Sequence, residues 1–296
     1  MKIKKSRGDR IFDVCNILFM CVVMAVMLLP MLHVVSISFS DSKEAMKGGL
    51  LLFPRKFSLE AYQFVFKEPA IYKSYLNTIM YAVGGTICTL LITSLTAYPL
   101  SISNFCLKKF VTVFLTITMF IGGGMIPTYI TIKNLGLIDN RLVMIIPGCV
   151  GAYNVILFRT FFQGLPSSLR EAARIDGAGE YRILFSMVLP LSKPILATVG
   201  LFTMVGKWNE WFSAMLYLND AGKHPVQMIL RQMLFTIQGA KTINDPRIQE
   251  MLRQNAGLSS CIKMATIVVI MFPIICIYPF IQKYFVKGVF VGTIKG

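Results

Sequence analysis

Six long, nearly uncharged apolar runs dominate this chain, at about residues 12–37, 76–102, 110–131, 142–163, 195–218 and 262–281. Each approaches the roughly 20 residues a helix needs to cross a 30 Å hydrocarbon core. A helix satisfies its backbone hydrogen bonds internally, while an open strand or loop facing lipid cannot. Composition agrees: of 296 residues, 55% are hydrophobic and 15% charged, with a mean hydropathy of +0.65. An ordinary soluble chain carries about 25% charged residues. The sequence therefore predicts an all-α membrane protein with six transmembrane helices. The first run, 14–37, exceeds the 7–15 apolar residues of a signal peptide and has no clean small-x-small cleavage site, so it reads as a retained span.

The formal net charge is +16 and the pI near 9.6. In a soluble protein this balance would raise nucleic acid as a partner, but here the basic residues flank apolar spans, which points to lipid headgroups and membrane topology. An even number of spans puts the tails, 1–11 and 282–296, on one side of the transmembrane domain 12–281. Lys and Arg are denser per residue in those tails and in the 103–109 and 164–193 loops, which predicts cytoplasmic N and C termini. On the other side lie 40–75 and 219–260, too short for catalytic domains but long enough to support an outside partner. None of the seven cysteines forms a C-x-x-C, and His33 and His224 are far apart, so neither a metal site, a disulfide framework nor an enzyme's constellation is indicated. Pro30, Pro99, Gly122 to Gly124, Pro127, Pro147, Pro190 and Pro194 mark kinks or close helix contacts.

The loop 165–194 carries the most information. Ser168 followed by Glu171 forms an S-x-x-E capping box, which predicts a helix from Leu169 that Gly177 ends in a left-handed conformation. Two to three turns are too few to be stable alone, so this helix needs a surface to pack on. Ala172, Ala173 and Gly177 would let another backbone approach closely, with Arg170, Glu171, Arg174 and Asp176 at the rim. The residues by themselves leave two readings open, a protein-docking helix and one lying on lipid, although the latter favours larger apolar residues along one face.

Glu171-Ala172-Ala173, then Gly177 after three residues, then Leu189-Pro190, reproduce the spacing of the EAA loop of ABC importer permeases, with Met187 where the pattern has Ile. Gly122 to Tyr129, Glu171 to Gly179, Trp208-Asn209 and Gly288 to Gly296 extend the similarity over nearly the whole chain. The sequence resembles the MalG/LplC-like branch of carbohydrate uptake permeases. That resemblance implies a six-helix, multi-pass subunit of the cell membrane that pairs with a second homologous permease around a shared pathway. It also implies two ABC ATPase subunits, which bind ATP-Mg, and an extracytoplasmic solute-binding protein. In that family the matched loop is a coupling helix seated in an ATPase groove, so Glu171, Ala172, Ala173, Arg174, Asp176, Gly177, Leu189 and Pro190 become the expected ATPase-coupling residues. The chain itself needs no cofactor. Its nearest imitation of a Walker A loop, Gly200 to Lys207, has five intervening residues in place of four and Trp208 where Ser or Thr belongs.

Lys207 and Glu210 are charges well inside a predicted span, where each costs about 2.5–3.5 kcal/mol at a helix centre. Three residues apart, they share a face and could pair. They mark either a functional site or side chains reaching for the outer interface. Trp208 and Asn209 suit a sugar's C–H faces and hydroxyls, but an aromatic belt would place the tryptophan equally well. Tyr153 and Asn154, in the middle of the fourth predicted span, complete a candidate substrate pathway. The competing function, an ion-coupled secondary transporter, would require several intramembrane carboxylates or an inverted repeat. The sequence offers Glu210 and no convincing repeat.

Overall fold

The computed structural model describes residues 7–232 and 257–277. The predicted C-terminal tail 282–296, the end of the sixth predicted span and part of the 219–260 segment lie outside the described residues. Those described form helices and turns, with one isolated bridge, Ser40 to Phe57. They are α1 (Arg7–Ser38), α2 (Ser42–Ala45), α3 (Glu60–Lys67), α4 (Pro69–Ser101), α5 (Lys108–Phe120), α6 (Met125–Asn134), α7 (Ala152–Gln163), α8 (Ser167–Ile175), α9 (Glu180–Ile183), α10 (Leu189–Leu191), α11 (Lys193–Trp208), α12 (Phe212–Tyr217) and α13 (Gly257–Ile277). Three of these, α1, α4 and α13, are long and apolar enough to cross a membrane, and the number rises to five if two bent pairs each count as one span.

The bent pairs show what the Pro and Gly signals do. The third predicted span, 110–131, is two helices, α5 and α6, meeting at 120° across Ile121–Gly124. Gly124 takes φ +79° and ψ 176° there, a conformation nearly confined to glycine that costs a residue with a Cβ about 1–3 kcal/mol. The fourth, 142–163, begins as a 3₁₀ turn at Arg141–Met144, passes through Pro147 and Gly148 (φ +79°), and becomes helical only at Ala152. The fifth, 195–218, stops at Trp208 and resumes as α12. Hydropathy identified these stretches as apolar, but the breaks depend on local backbone chemistry that a hydropathy window averages away.

The chain forms two compact units. The first, residues 1–69 with 230–272, contains α1, whose apolar surface is exposed along most of its length and buried only at Ser36 to Ser38. At that end Phe39 stacks on Phe57 and Tyr62, and the backbone N–H of Leu51 donates to His33 Nδ1 at 3.0 Å.

The second unit, residues 70–229 with 273–296, is organised along α4. Its buried stripe is small or hydroxylated: Ser74, Thr78, Ala82, Gly85, Thr89, Thr93 and Ala97. Small side chains let neighbouring helices approach. Thr78 Oγ1 bonds Ser74 O (2.8 Å) and Ser94 Oγ bonds Leu90 O (2.6 Å) within the helix, whereas the buried hydroxyls of Thr89 and Thr93 have no hydrogen-bond partner among the described residues. One end of α4 contributes Tyr81 to a cluster with Ile132, Val143, Met144, Ala214 and Tyr217. The other contributes Ala97, Tyr98 and Leu100 to a larger core with Phe158, Phe162, Ile183, Leu184 and Val188.

Candidate functional site

Two features of the second unit carry the candidate chemistry, the α8 loop at one end of α4 and a groove beside Lys207. α8 starts at Ser167, two residues before the predicted Leu169, because Pro166 supplies a fixed, extended backbone that enters the helix. The predicted capping box does not form: Ser168 lies inside the first turn, and no side chain caps the N-terminus. The other end follows the expectation. Gly177 takes φ +77°, its N–H donates to Arg174 O at 3.0 Å, and the N–H of Ala178 donates to Ala173 O at 2.9 Å. These two bonds make a Schellman stop.

The alanines divide between the two faces of α8. Ala173 is 6% exposed and packs into the core with Tyr98, Phe162 and Ile183, so it anchors the helix and cannot belong to an outward docking face. Ala172, about 100° further round the helix, is exposed. Ser168, Glu171, Ala172 and Ile175 form an exposed i, i+3, i+4, i+7 stripe, and Ile175 is 86% exposed. Asp176 and Gly177 are exposed at its end.

Arg174 is turned back on its own loop. Its Nε and Nη2 both donate to Glu180 Oε1, at 2.8 and 2.7 Å, while Tyr98 Oη donates to Glu180 Oε2 at 2.7 Å. This clamp ties α8 through the first residue of α9 to the end of α4. Burial alone pushes the Glu180 carboxyl up. The hydrogen bonds from Tyr98 and Arg174 and the charges of Arg174 and Arg170 outweigh it and hold that carboxyl below its ordinary value. Sequence reasoning missed both Tyr98 and Glu180. The usable signal was an acid six residues after Arg174 across a glycine-terminated turn.

Beyond the clamp, Leu184–Val188 is a π-helical segment in which the N–H of Leu189 donates to Leu184 O. Pro190 cannot donate to the carbonyl of Ser186, and this missing bond accompanies the wider winding. The chain then turns 82° between Glu180–Leu191 and Lys193–Trp208, with buried Ser192 donating Oγ to Val188 O at 2.6 Å. Leu189 and Pro190 therefore stand in a bent junction between the loop and α11.

The groove holds about 450 Å³ and is lined by Thr128, Met144, Pro147, Thr203, Lys207, Glu210, Ser213 and Tyr217 among others. On α11, Thr203, Gly206 and Lys207 share one helical face, and Glu210 follows just past its end. Lys207 Nζ donates to Met144 O at 2.9 Å and Pro147 O at 3.4 Å, which answers carbonyls freed where the fourth predicted span unwinds. The predicted Lys207–Glu210 pair is replaced by other bonds: among the described residues no salt bridge joins them, and Glu210 Oε1 instead accepts from the N–H of Ser213 at the start of α12. Trp208 points away from the groove, is 4% exposed, and sets its ring edge-on to Tyr75 at 6.2 Å. Asn209 bonds Val205 O and accepts from Gln227 Nε2. Tyr153 and Asn154 lie at the start of α7, with Tyr153 exposed, and neither lines the groove. Thr128, Thr203 and Ser213, which do line it, were unremarkable in sequence because single hydroxyls in apolar helices usually bond their own backbone.

The groove adjoins a knot of loops. Asp139, at φ +55°, accepts from the N–H groups of Asn219 and Asp220 and pairs with Lys223 at 2.9 Å. Tyr81 Oη donates to Lys223 O at 2.8 Å, and Asn77 Nδ2 to Gly222 O at 2.9 Å.

A family model described as binding-protein-dependent transport system inner membrane component matches residues 2–291. The chain is 39% identical over 291 residues to Protein LplC of Bacillus subtilis (strain 168), covering 98% of this chain and 97% of that one. It is likewise 39% identical over 288 residues to the polygalacturonan/rhamnogalacturonan transport system permease protein YtcP of the same organism, covering 97% and 99%. Among solved structures, a chain of a bacterial ABC transporter involved in the import of the acidic polysaccharide alginate superposes with a TM-score of 0.86 at 32% identity, covering 96% of this chain and all of that one.

Proposed function

The chain belongs to the binding-protein-dependent transport system inner membrane component family, and on that premise we propose that it forms half of the translocation pathway of an ATP-driven importer for a sugar or oligosaccharide. It is a component of the cytoplasmic membrane and a non-catalytic subunit. ATP is hydrolysed by separate partner subunits, and a solute-binding protein delivers cargo to the outer face. In this reading the domain 12–281 crosses the membrane six times, both termini face the cytoplasm, and a second homologous permease completes the pathway. The carbohydrate cargo rests on the polygalacturonan/rhamnogalacturonan and alginate systems of the relatives.

The observation that carries the coupling role is the outward stripe of α8. A large apolar residue, Ile175, stands exposed on a helix whose opposite face is anchored by Ala173 and whose end is held by the Arg174–Glu180–Tyr98 clamp. Burying Ile175 in an ATPase groove would contribute about 1.5–3 kcal/mol. Closure of the ATPase dimer on ATP would then push on α8, and the clamp and bent junction at Leu189-Pro190 would pass the motion to α4 and α11. Switching of the Lys207 groove between inward-open and outward-open follows.

Copurification of the ATPase with the Ile175→Asp variant, alongside binding-protein-dependent uptake, tests this. The reading expects both to fall at least about tenfold, the equivalent of roughly 1.4 kcal/mol, with unchanged membrane insertion. Wild-type values of both would sink it. Ion-coupled transport, the other reading, needs a carboxylate free to cycle, and Glu210 is engaged with the Ser213 N–H. Uptake that survives removal of the ATPase would restore that alternative.

A further inference from the structure

A second pocket, of about 460 Å³, opens where α5 begins, and Ser103, Lys108, Lys109, Thr112 and Arg159 supply its polar lining. Among the described residues no carboxylate lines it. Arg159 comes from α7, amid Val155, Ile156, Leu157, Phe158 and Phe161, and is held over the pocket by one bond, Nη1 to Thr112 Oγ1 at 3.1 Å. Its Nε is buried with no protein partner. Lys108 Nζ reaches Ile102 O at 3.2 Å, and Lys109 is exposed. Three cations thus converge on one open space whose described lining holds no anion, and the desolvation cost falls on the buried, unpartnered Nε of Arg159.

The surroundings indicate its source. Phe110, Val113, Phe114 and Ile117 continue from the pocket along α5 as an exposed apolar stripe at i, i+3, i+4, i+7. A free phosphate would use the cations and leave the stripe idle, whereas a phospholipid would use both. We propose that this pocket binds the phosphate headgroup of a net-anionic phospholipid, with Lys108, Lys109 and Arg159 around the phosphate and an acyl chain along α5. A zwitterionic headgroup brings its own cation into the same space and is disfavoured by it. The side of the membrane assigned to this site rests on the topology proposed above. The binding itself does not.

The test is native mass spectrometry of the full-length protein in detergent, titrated with phosphatidylglycerol, phosphatidylcholine or inorganic phosphate. Phosphatidylglycerol is expected to be retained selectively. Its affinity should drop about fivefold in Lys109→Gln and about 25-fold in Lys109→Gln/Arg159→Gln, with Lys193→Gln unchanged. Lys109 is exposed, so the single variant keeps the test valid if loss of Arg159 disturbs packing. Equal retention of phosphatidylcholine, full competition by inorganic phosphate, or undiminished binding in both variants would overturn the proposal. Labelling Cys106 with an impermeant maleimide, in protein whose other cysteines are serine, reads the membrane side separately. Labelling from outside would refute the topology and leave the lipid result standing.

Discussion

Tyr98 and Glu180, 82 positions apart in sequence, meet through a 2.7 Å hydrogen bond from the phenol to the carboxylate. The same carboxylate accepts from Arg174 through its other oxygen, so one acid joins α4, α8 and α9. Tyr98→Phe removes a bond to a charged group while keeping the ring, and should cost about 1.5–3 kcal/mol. The Arg174–Glu180 pair is roughly half exposed, and Arg174→Met should cost under about 1 kcal/mol. Thermal unfolding in detergent separates the two, and both variants should show weaker coupling of ATP hydrolysis to transport.

The clamp also sets an acid limit. The folded Glu180 carboxyl is held below its ordinary value of 4.5, so its stabilisation is fully present above pH 4.5 and fades as pH falls through the folded value. A thermal stability profile on the acid side should therefore fall more steeply in the wild type than in Glu180→Gln, which has no carboxyl there to protonate. Parallel profiles would show that the clamp contributes nothing.

Docking and packing on α8 separate by residue. Ala173→Leu inserts extra volume into a filled core and should destabilise the protein by about 1–3 kcal/mol. Glu171→Lys and Ile175→Asp, on the exposed stripe, should leave the melting temperature unchanged and lower ATPase recovery. Gly177→Asp combines the effects, since φ +77° costs a side-chain-bearing residue about 1–2 kcal/mol. Melting curves and copurification on the same samples measure each.

Gly85 is the bed on which the Lys207 stem lies. A Cβ there would stand 3.1–3.3 Å from three carbons of the lysine side chain. Gly85→Val should displace Lys207 from the carbonyls of Met144 and Pro147 and reduce uptake, with the ATPase still bound. Lys207→Met should have the same phenotype. Transport assays in vesicles, with ATPase recovery as the control, distinguish this from a coupling defect.

Sequence alone determined the class of the protein and its most informative segment. Apolar runs of membrane-spanning length require helices because lipid offers no partner to an unpaired peptide group. The Glu171 to Pro190 spacing located the loop, and Gly177 located the end of its helix, since both depend on residues near one another in the chain. Tertiary structure decided which way each side chain faces and where the spans break. Ala172 and Ala173 are indistinguishable in composition, yet one is exposed and the other is in the core, because about 100° of helical rotation separates them and only packing fixes the phase. Lys207 and Glu210 read as a pair from their spacing. Each instead bonds to backbone, Lys207 to carbonyls about 60 positions away and Glu210 to the start of the next helix. Those partners exist only where the fourth and fifth predicted spans unwind, and a local pattern cannot reveal bonds that long-range folding creates.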